Sequence, residues 1–438
     1  MKSSKPKKYV FAVSSELPNK LGVKTVVEPG RAHYSYRTVR DKFCDMLNEQ
    51  DENWIDVLRP EIYRDFNLSA SIFNKFEGER VHLTFKPAEF ARTAGGFRNI
   101  AHVAWEFDKL RSKYATQPVL PANDDLRMLS AFDQVWVGCE FTKRVFNEHG
   151  LNSVFTVPAP IKIPRKTLVT KNQNSVLTDL GQIKALNIKC YPLSIRNHGF
   201  LYSQCSLTNT PSELSRVLKK PILEGGKVFL QILNPHDSRK NLKKTVKAFH
   251  AFHYKNPNTV LILKLTSPEK NEAIYEILRW FIDDSHALDA SGVYFTTDYI
   301  PEADKATFLR LFDYYVSPSR AEGQNLPLQE GMACGLVPIT TKNTAMIDYI
   351  DDNNAVVIPS QPTEVTHLCT SDSSIWGFEW HDCSEIDIYN AFKRAMDLSP
   401  EDMKLKQQAA IDMIEQKYSY TAVAALMHNA LSTQSSAR

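Results

Sequence analysis

The second half of this chain alternates short, continuously apolar runs with helical patterns, and this alternation constrains the fold more than any other feature. Strands that are apolar throughout lie in parallel sheets whose two faces are both covered by helices. After the first run, Leu242, Val246 and Phe249 recur at spacings of four and three, as on one face of a helix. The predicted strands are Val228–Leu233, Val260–Leu265, Gly292–Thr296, Tyr315–Pro318, Leu336–Thr340 and Ala355–Ile358, and further helices are predicted over Glu272–Ile282, Lys305–Phe312 and Pro327–Cys334.

The first half repeats this pattern less regularly. Typical domains have roughly 100–200 residues, so a chain of 438 residues predicts two domains. We therefore expect an α/β protein of two Rossmann-like, doubly wound parallel-sheet domains that face a cleft, with ligands at the carboxyl ends of the strands. The strands predicted in this half are Tyr9–Val13, Trp54–Leu58, Val81–Phe85, Ile100–Trp105, Gln134–Gly138 and Ser153–Val157, with helices over Arg40–Asn48 and Glu140–Glu148.

The expected boundaries divide the chain into four parts. One Rossmann-like domain covers residues 1–161, and the second covers residues 227–415. The polar stretch 162–226 between them is expected to be a linker with an inserted segment. Ser399–Asp402 has the pattern of a capped helix start, with a serine followed by proline and acidic residues. We expect helices over Glu401–Gln416 and Thr421–Leu431, and we expect residues 416–438 to return to the N-terminal domain.

Composition and missing motifs exclude several classes of protein. Hydrophobic residues make up 43% and charged residues 24%, as in soluble globular proteins, and a net charge of +3 gives no indication of nucleic-acid binding. The seven cysteines are scattered without a CxxC pair, which favours a reducing compartment over a disulfide framework or a zinc ribbon. GxGxxG, the P-loop pattern, DxD, HExxH and GxSxG are all absent. The two domains therefore lack the commonest nucleotide and metal signatures.

The stretch from Ser317 to Gly335 carries the chemistry. It begins where a strand ends, Pro327 suits the first turn of a helix, and Gly335 suits its C-terminal exit. The free amides and positive dipole of such a helix start would bind a diphosphate. Glu322 in the loop and Glu330 one turn into the helix bring two carboxylates beside that site, where they would accept hydrogen bonds from hydroxyl groups.

Glu322 and Glu330 form an E-x7-E motif, and their surroundings resemble the retaining GT-B glycosyltransferases of family GT4, the group 1 type. The resemblance is clear from about Val228 to the C-terminus and faint before it. It implies that Glu322 fixes and polarises the donor sugar and that Glu330 holds the ribose of a nucleotide. Gly331 stands where the family usually has alanine, which suggests either the close approach of a backbone or a ligand, or sequence drift. The resemblance also implies that the loop residues Gly323, Gln324, Asn325 and Leu326 contact the donor.

Two further loops complete the donor side that the resemblance implies. In Asp237–Asn241, which precedes a helix that Asn241 could cap, Lys240 and the adjacent Arg239 would hold the donor diphosphate. A solvated basic pair is the alternative interpretation. Tyr299 and Ile300 would lie beside the nucleobase, although Tyr299 is equally compatible with plain packing.

The N-terminal half contributes weaker candidates. Residues 100–106 and 132–141 resemble the W-E and D-x-[IV]-W-V patterns of some GT4 polysaccharide enzymes. His102, as a catalytic candidate, and Glu106 could face the cleft, and a position in the core or behind the site is equally compatible with the pattern. Ser15 and Glu16 follow the first strand and could border the acceptor.

Together with these features, the resemblance implies a retaining, metal-independent glycosyltransferase without a cofactor. The donor would be a UDP- or GDP-linked sugar, and the acceptor a glycan or lipid-linked glycan of cell-surface polysaccharide biosynthesis, with no nucleic-acid partner. The alternative is a non-catalytic GT-B subunit or a sugar-binding partner of another transferase. We expect a cytoplasmic protein. Lys2, Lys5, Lys7 and Lys8 form either a solvated tail or a weak peripheral contact with an anionic membrane.

Overall fold

A computed structural model of the chain describes residues 9–15, 32–57, 73–111, 124–164, 173–194, 211–266, 289–370 and 372–433. The first domain is built on six parallel strands in the order β2-β1-β3-β4-β5-β6. Buried apolar side chains cover both faces of its central strands, which explains their continuous hydrophobicity. The strands are β1 Tyr9–Ser15, β2 Asn53–Asp56, β3 Glu79–Phe85, β4 Arg98–Val103, β5 Gln134–Val137 and β6 Val154–Thr156, and the helices are α1 Ala32–Glu49, α2 Asp125–Leu129 and α3 Glu140–Glu148.

The second domain contains an eight-stranded sheet in the order β14-β13-β12-β9-β10-β11-β7-β8. Its six strands from β9 to β14 run parallel, as predicted, while β7 and β8 add antiparallel pairs at one edge. The strands are β7 Lys189–Ser194, β8 Ser212–Glu213, β9 Lys227–Leu233, β10 Thr259–Leu265, β11 Asp289–Thr296, β12 Tyr314–Ser317, β13 Val337–Thr341 and β14 Val356–Ile358. The predicted helix Glu272–Ile282 lies outside the described residues.

Residues 162–226 were expected to be a linker with an insertion, but their described part belongs to this second sheet. Helices α4 Gln173–Ala185 and α5 Leu214–Leu223 flank β7 and β8. Val176, Leu180 and Leu218 enter the same apolar core as Leu230 of β9. The reason is topological, because a short edge strand with polar neighbours joins the sheet through backbone hydrogen bonds and needs no apolar run.

The remaining helices cover the second sheet and then return to the first. They are α6 Leu242–Lys255, α7 Glu302–Leu309, α8 Leu326–Ala333, α9 Glu385–Met396, α10 Pro400–Tyr418 and α11 Tyr420–Ser432. Ser399 caps α10 by accepting a hydrogen bond from the Asp402 amide, as its sequence pattern predicts. The α11 side chains Val423, Met427 and Leu431 lie in the core of the first domain. The last described helix therefore packs on the first domain, which also contains the first described strand.

A two-stranded hairpin projects from the second domain between β14 and α9. Its strands β15 Gln361–Glu364 and β16 Glu379–Asp382 pair antiparallel. Phe378 and Trp380 of the hairpin share an apolar cluster with Phe107 of the first domain. The hairpin is thus a physical connection between the two domains.

In the described part of the chain, no helix is both long and apolar enough to cross a bilayer.

Candidate functional site

The predicted motif lies at the carboxyl end of β12, between the two domains. The chain leaves β12 at Ser317 and enters α8 after Asn325, whose φ of 66° is left-handed. The Asn325 side chain is not used as a helix cap, because its amide donates to Ser317 Oγ over 2.9 Å. Pro327 lies in the first turn of α8, and Gly335 with φ of 81° follows its end. The turn residues thus place the loop as the sequence predicts.

Glu322 is buried in this loop with 4% of its surface exposed. Its carboxylate lies 2.5 Å from the ammonium of Lys240, which comes from the loop after β9. Its amide donates to Thr344 Oγ1 at 2.9 Å. Thr344 has a φ of 41°, which is energetically costly for a β-branched residue. Strained backbone conformations of this kind cluster at functional sites. The structure therefore brings together Glu322 of the E-x7-E motif and Lys240 of the predicted basic pair.

Arg239 lies beside this pair and contacts carboxylates of both domains. Asp237 accepts hydrogen bonds from Arg239 Nε at 3.0 Å and from Nη2 at 2.8 Å. The third nitrogen, Nη1, lies 2.7 Å from Glu106 Oε1 of the first domain. Burial raises the pKa of Asp237, but Arg239 and Lys240 outweigh it and lower that pKa, so Asp237 is a permanent anion. Glu106 does reach the cleft.

Arg320 ties the loop that follows β9 to the loop that follows β12. Its amide donates to the Arg239 carbonyl and its Nη1 to the Ser238 carbonyl, each at 2.8 Å. Asp382 of the hairpin accepts from Arg320 and also from Asn241 Nδ2. Asn241 stands at the start of α6 with φ of 55°, yet its side chain serves this network and does not cap the helix. The position of the basic pair is therefore fixed by side chains outside its own loop.

Glu330 is held by two lysines, one from each domain. Lys42 Nζ of α1 lies 2.5 Å and Lys305 Nζ of α7 lies 3.1 Å from Glu330 Oε1. Burial raises the pKa of Glu330, but the two ammonium groups outweigh it and bring the pKa down to about 2. Glu330 is thus a permanent carboxylate, and α1 of the first domain reaches the predicted donor site.

Gln324 connects the domains through its side-chain amide. Its Nε2 donates to the Ala159 carbonyl and its Oε1 accepts from the Ala159 amide, both at 2.8 Å. A Cβ atom on Gly138 would come within 2.8 Å of the Gly323 carbonyl, so the loop lies directly against the first domain. Leu326 contacts the apolar cores of both domains. Gln324 and Leu326, predicted as donor contacts, therefore serve the domain interface.

His102 lies in the core of the first domain and does not face the cleft. It is 3% exposed, contacts Phe43 and Phe85, and its Nε2 lies 3.0 Å from the Val157 carbonyl. Burial lowers its pKa to about 4. The expectation that it meets a ligand is therefore not met, because β4 is an interior strand covered on both faces.

The other predicted contacts are distributed as follows. Tyr299 is 67% exposed, which does not fit plain packing, while Ile300 lies against the core of the second domain. Ser15 ends β1 at the same sheet edge as Phe85 of β3. Glu16 lies outside the described residues, as do the N-terminal lysines.

Gly331 has a packing role that resolves its sequence ambiguity. A Cβ atom at this position would lie 3.1 Å from Tyr315 Cδ2, so glycine lets α8 lie close on β12.

Of the cysteines, the six in the described ranges are free. No group of three or more His, Cys, Asp or Glu side chains there is arranged to hold a metal ion.

Sequence reasoning missed several residues of the site: Lys42, Lys305, Arg320, Thr344 and Asp382. Arg320 lies inside the stretch from Ser317 to Gly335, two residues before Glu322, and this position could have marked it as a residue of the site. Lys42, Lys305 and Asp382 come from distant parts of the chain and resemble many solvated charged residues, and Thr344 is an ordinary polar loop residue in the sequence. Only the tertiary fold distinguishes them.

Comparison with known proteins defines the fold. Residues 227–370 match the family model of glycosyl transferases group 1. No curated protein matches the chain. The structure is similar to Anabaena HepE in complex with UDP and glucose, with a TM-score of 0.55, 9% identity, and coverage of 98% of this chain and 100% of that one.

Two further solved structures resemble the chain. An α,α-trehalose-phosphate synthase (UDP-forming) from Burkholderia vietnamiensis gives a TM-score of 0.53 at 10% identity, covering 98% and 100% of the two chains. Staphylococcus aureus TarM gives a TM-score of 0.49 at 12% identity. The match covers 84% of this chain but only 59% of the length of TarM. The protein has the GT-B fold, and residues 227–370 form a glycosyl transferases group 1 domain.

Proposed function

We propose that this protein is a retaining glycosyltransferase of the GT4 type, which moves a sugar from a nucleotide-sugar donor to a hydroxyl group of a glycan or glycolipid. The observation that carries the proposal is the contact of Lys240 with Glu322 at 2.5 Å, at the carboxyl end of a parallel sheet. Ligands of doubly wound folds bind at this edge. The two side chains belong to the two loops that the family resemblance assigns to the donor.

Lys240 and Arg239 supply the positive charge that a diphosphate leaving group requires. The N-terminal amides of α8 add to it, since the first turn of a helix carries unpaired donors and a partial positive charge. Glu322 then turns from Lys240 to the sugar hydroxyls, for which a carboxylate is a good acceptor. Charge that grows on the departing phosphate is stabilised by groups already held in place through Asp237 and Arg320.

Glu330 is proposed to hold the ribose of the nucleotide. Both ammonium groups contact its Oε1, and we assign the ribose hydroxyls to Oε2. Tyr299 and Ile300 follow β11 and are proposed as neighbours of the base. The exposure of Tyr299 supports this, because an exposed aromatic ring is available for stacking.

UDP-linked sugars are the first donors to test, with GDP-linked sugars second. HepE was solved with UDP and glucose, and the Burkholderia synthase is a UDP-forming enzyme. In the proposed reaction the acceptor hydroxyl attacks from the face of the leaving group and gives its proton to a donor phosphate oxygen. This scheme uses no metal and no cofactor. We further propose that the protein acts in cell-surface polysaccharide biosynthesis in the cytoplasm, at the inner face of the membrane.

A thermal-shift screen against UDP-, GDP-, dTDP- and CMP-linked sugars tests the donor class. We expect one nucleotide class to raise the melting temperature, and we expect a Lys240→Ala variant to lose that rise. Mass spectrometry should then show sugar transfer from the selected donor to glycan acceptors. Binding without any turnover by the isolated chain would favour a non-catalytic subunit over an enzyme.

A further inference from the structure

One nitrogen of the Arg239 guanidinium, Nη1, is not bound to Asp237, the carboxylate that anchors this side chain. Asp237 engages Nε and Nη2, so the guanidinium is held along one edge. Nη1 is buried and has no aligned hydrogen-bond acceptor within the described residues, although Glu106 Oε1 lies 2.7 Å away. This contact is an ion pair without hydrogen-bond geometry. A phosphate oxygen, which can approach along the N–H direction, would satisfy Nη1 better.

Glu106 is held at this place by a loop that contacts both domains. The Trp105 carbonyl accepts from Thr142 Oγ1 at 2.7 Å, and Asp108 Oδ1 accepts from the Glu379 amide of the hairpin at 2.7 Å. Lys109 Nζ donates to the Gly377 carbonyl at 2.6 Å. The loop is thus anchored by the Trp105 carbonyl before Glu106 and by the Asp108 and Lys109 side chains after it. Only the side chain of Glu106 is left to change partner.

The charges around Arg239 and Lys240 make such a change necessary when a diphosphate binds. Asp237, Glu322 and Glu106 surround the two cations, so the five side chains carry a net negative charge. Asp237 must stay, because it fixes Arg239. A diphosphate that uses Nη1 therefore repels Glu106 and takes its place.

We propose that Glu106 exchanges partners during the reaction: it contacts Arg239 before the donor binds and afterwards accepts a hydrogen bond from a hydroxyl group of the acceptor other than the attacking one. This inference rests on the proposed function, since it uses the donor diphosphate as the competing anion. Arg239 marks the side of the leaving group, so the released carboxylate lies on the face from which a retaining reaction is attacked. The acceptor group that meets Glu106 is an uncharged hydroxyl, because a phosphate or carboxylate there would be repelled.

Calorimetric titration with UDP tests the exchange on the donor side. Glu106→Gln removes the competing charge and keeps the size of the side chain, so we expect UDP to bind about threefold to tenfold more tightly than to the wild type. Glu148→Gln makes the same chemical change at an exposed position on α3 of the same domain and should leave UDP affinity within about twofold. A purely structural role for Glu106 predicts unchanged or weaker UDP binding in Glu106→Gln, and that result would overturn the proposal.

Kinetics with UDP-glucose as donor and methyl α-glucoside as a hydroxyl probe test the acceptor side. Glu106→Gln should raise the KM for the probe at least tenfold, and it should lower transfer to the probe much more than hydrolysis of UDP-glucose by water. An equal fall in transfer and hydrolysis would remove Glu106 from the acceptor site. If the folded wild type binds neither UDP nor GDP, the proposed function fails together with this inference. Binding that is equal in wild type and Glu106→Gln overturns the inference alone.

Discussion

Lys42 of the first domain lies 2.5 Å from Glu330 of the second, although 288 positions separate them in the chain (330 − 42). Their side chains are only 10% and 13% exposed. A buried ion pair is expensive to break, because the partner that remains is an uncompensated charge. The pair therefore links the stability of the domain interface to the proposed ribose site.

Substitution of Lys42 tests this link. Lys42→Met should lower the free energy of unfolding by about 2 kcal/mol, less than the roughly 3–5 kcal/mol typical of a broken buried pair, because Lys305 still compensates Glu330. Lys143→Met is the matched control. It removes a charge from the exposed pair with Glu140, so it should change stability by less than about 1 kcal/mol. Urea unfolding of the two variants measures both values, and equal effects would contradict the assignment.

The pH dependence of the free energy of unfolding reports on the charge of Glu330. Its pKa in the folded protein is about 2, below the ordinary 4.5, so its contribution is present above pH 4.5 and is lost as the pH falls towards 2. Glu330→Gln should therefore be less stable than the wild type at neutral pH, with a difference that shrinks over that window. Glu330→Ala should also weaken nucleotide binding, as a ribose ligand requires. A difference in stability that is constant with pH would show that the charge of Glu330 does not matter.

Lys240 supplies a direct test of the donor site. Its ammonium is expected to contact the diphosphate, and charge-assisted hydrogen bonds of this kind contribute a few kcal/mol in a desolvated site. Lys240→Ala should lower kcat/KM by about 100-fold, equivalent to roughly 2.7 kcal/mol. Lys247→Ala changes a lysine on the neighbouring helix that contacts Glu385 at 3.6 Å, and it should be silent. Unchanged kinetics in a folded Lys240→Ala variant would remove Lys240 from the mechanism.

The parts of the site that follow from local sequence could be predicted, and the parts that follow from domain packing could not. A strand end, a loop with Glu322 and a proline-started helix are neighbours in sequence, so their order places the motif. Lys42 and Glu106 reach the site only because the two domains face each other. Nothing local marks Lys42, and the W-E pattern marks Glu106 without indicating Arg239 as its partner.

The errors in the fold and in the site have definite causes. β7 joins the sheet edge through antiparallel backbone pairing, so it lacks the apolar run that identifies interior strands. His102 lies near the end of its predicted strand, and the resemblance to the W-E pattern suggested that it could face the cleft. Because helices cover both faces of β4, the polar residue is buried.

His102 should matter for stability and not for chemistry. Burial lowers its pKa from 6.5 to about 4, so the unfolded chain takes up a proton first as the pH falls. The wild type should therefore lose stability between pH 6.5 and pH 4, and His102→Leu should show a shallower loss. Leucine leaves the Val157 carbonyl without its partner, at a cost of about 1–3 kcal/mol at pH 7. A folded His102→Leu variant whose kcat falls by orders of magnitude would return His102 to the active site.

The stereochemistry of transfer is the decisive test of the proposed reaction. An inverting enzyme needs a base on the face of the sugar opposite the leaving group, supplied by the first domain. In the described ranges, His102 is buried and Glu106 lies against Arg239, on the leaving-group side. Glu322 contacts Lys240, so it also lies beside the phosphates and is not placed as an inverting base. We therefore predict that an α-linked nucleotide sugar gives an α-linked product.

Glu322→Gln sharpens the same test. The variant loses the carboxylate that polarises the sugar, so transfer should fall by at least about 100-fold, as for the loss of a transition-state contact. Nucleotide binding should persist, because Lys240 is released from its 2.5 Å ion pair and stays available to the diphosphate. Proton NMR of the new anomeric centre, recorded for the wild type and for the residual product of Glu322→Gln, reports the configuration directly. A β-linked product from an α-linked donor would falsify retention, and it would require a base on the far side of the sugar from Arg239 and Lys240.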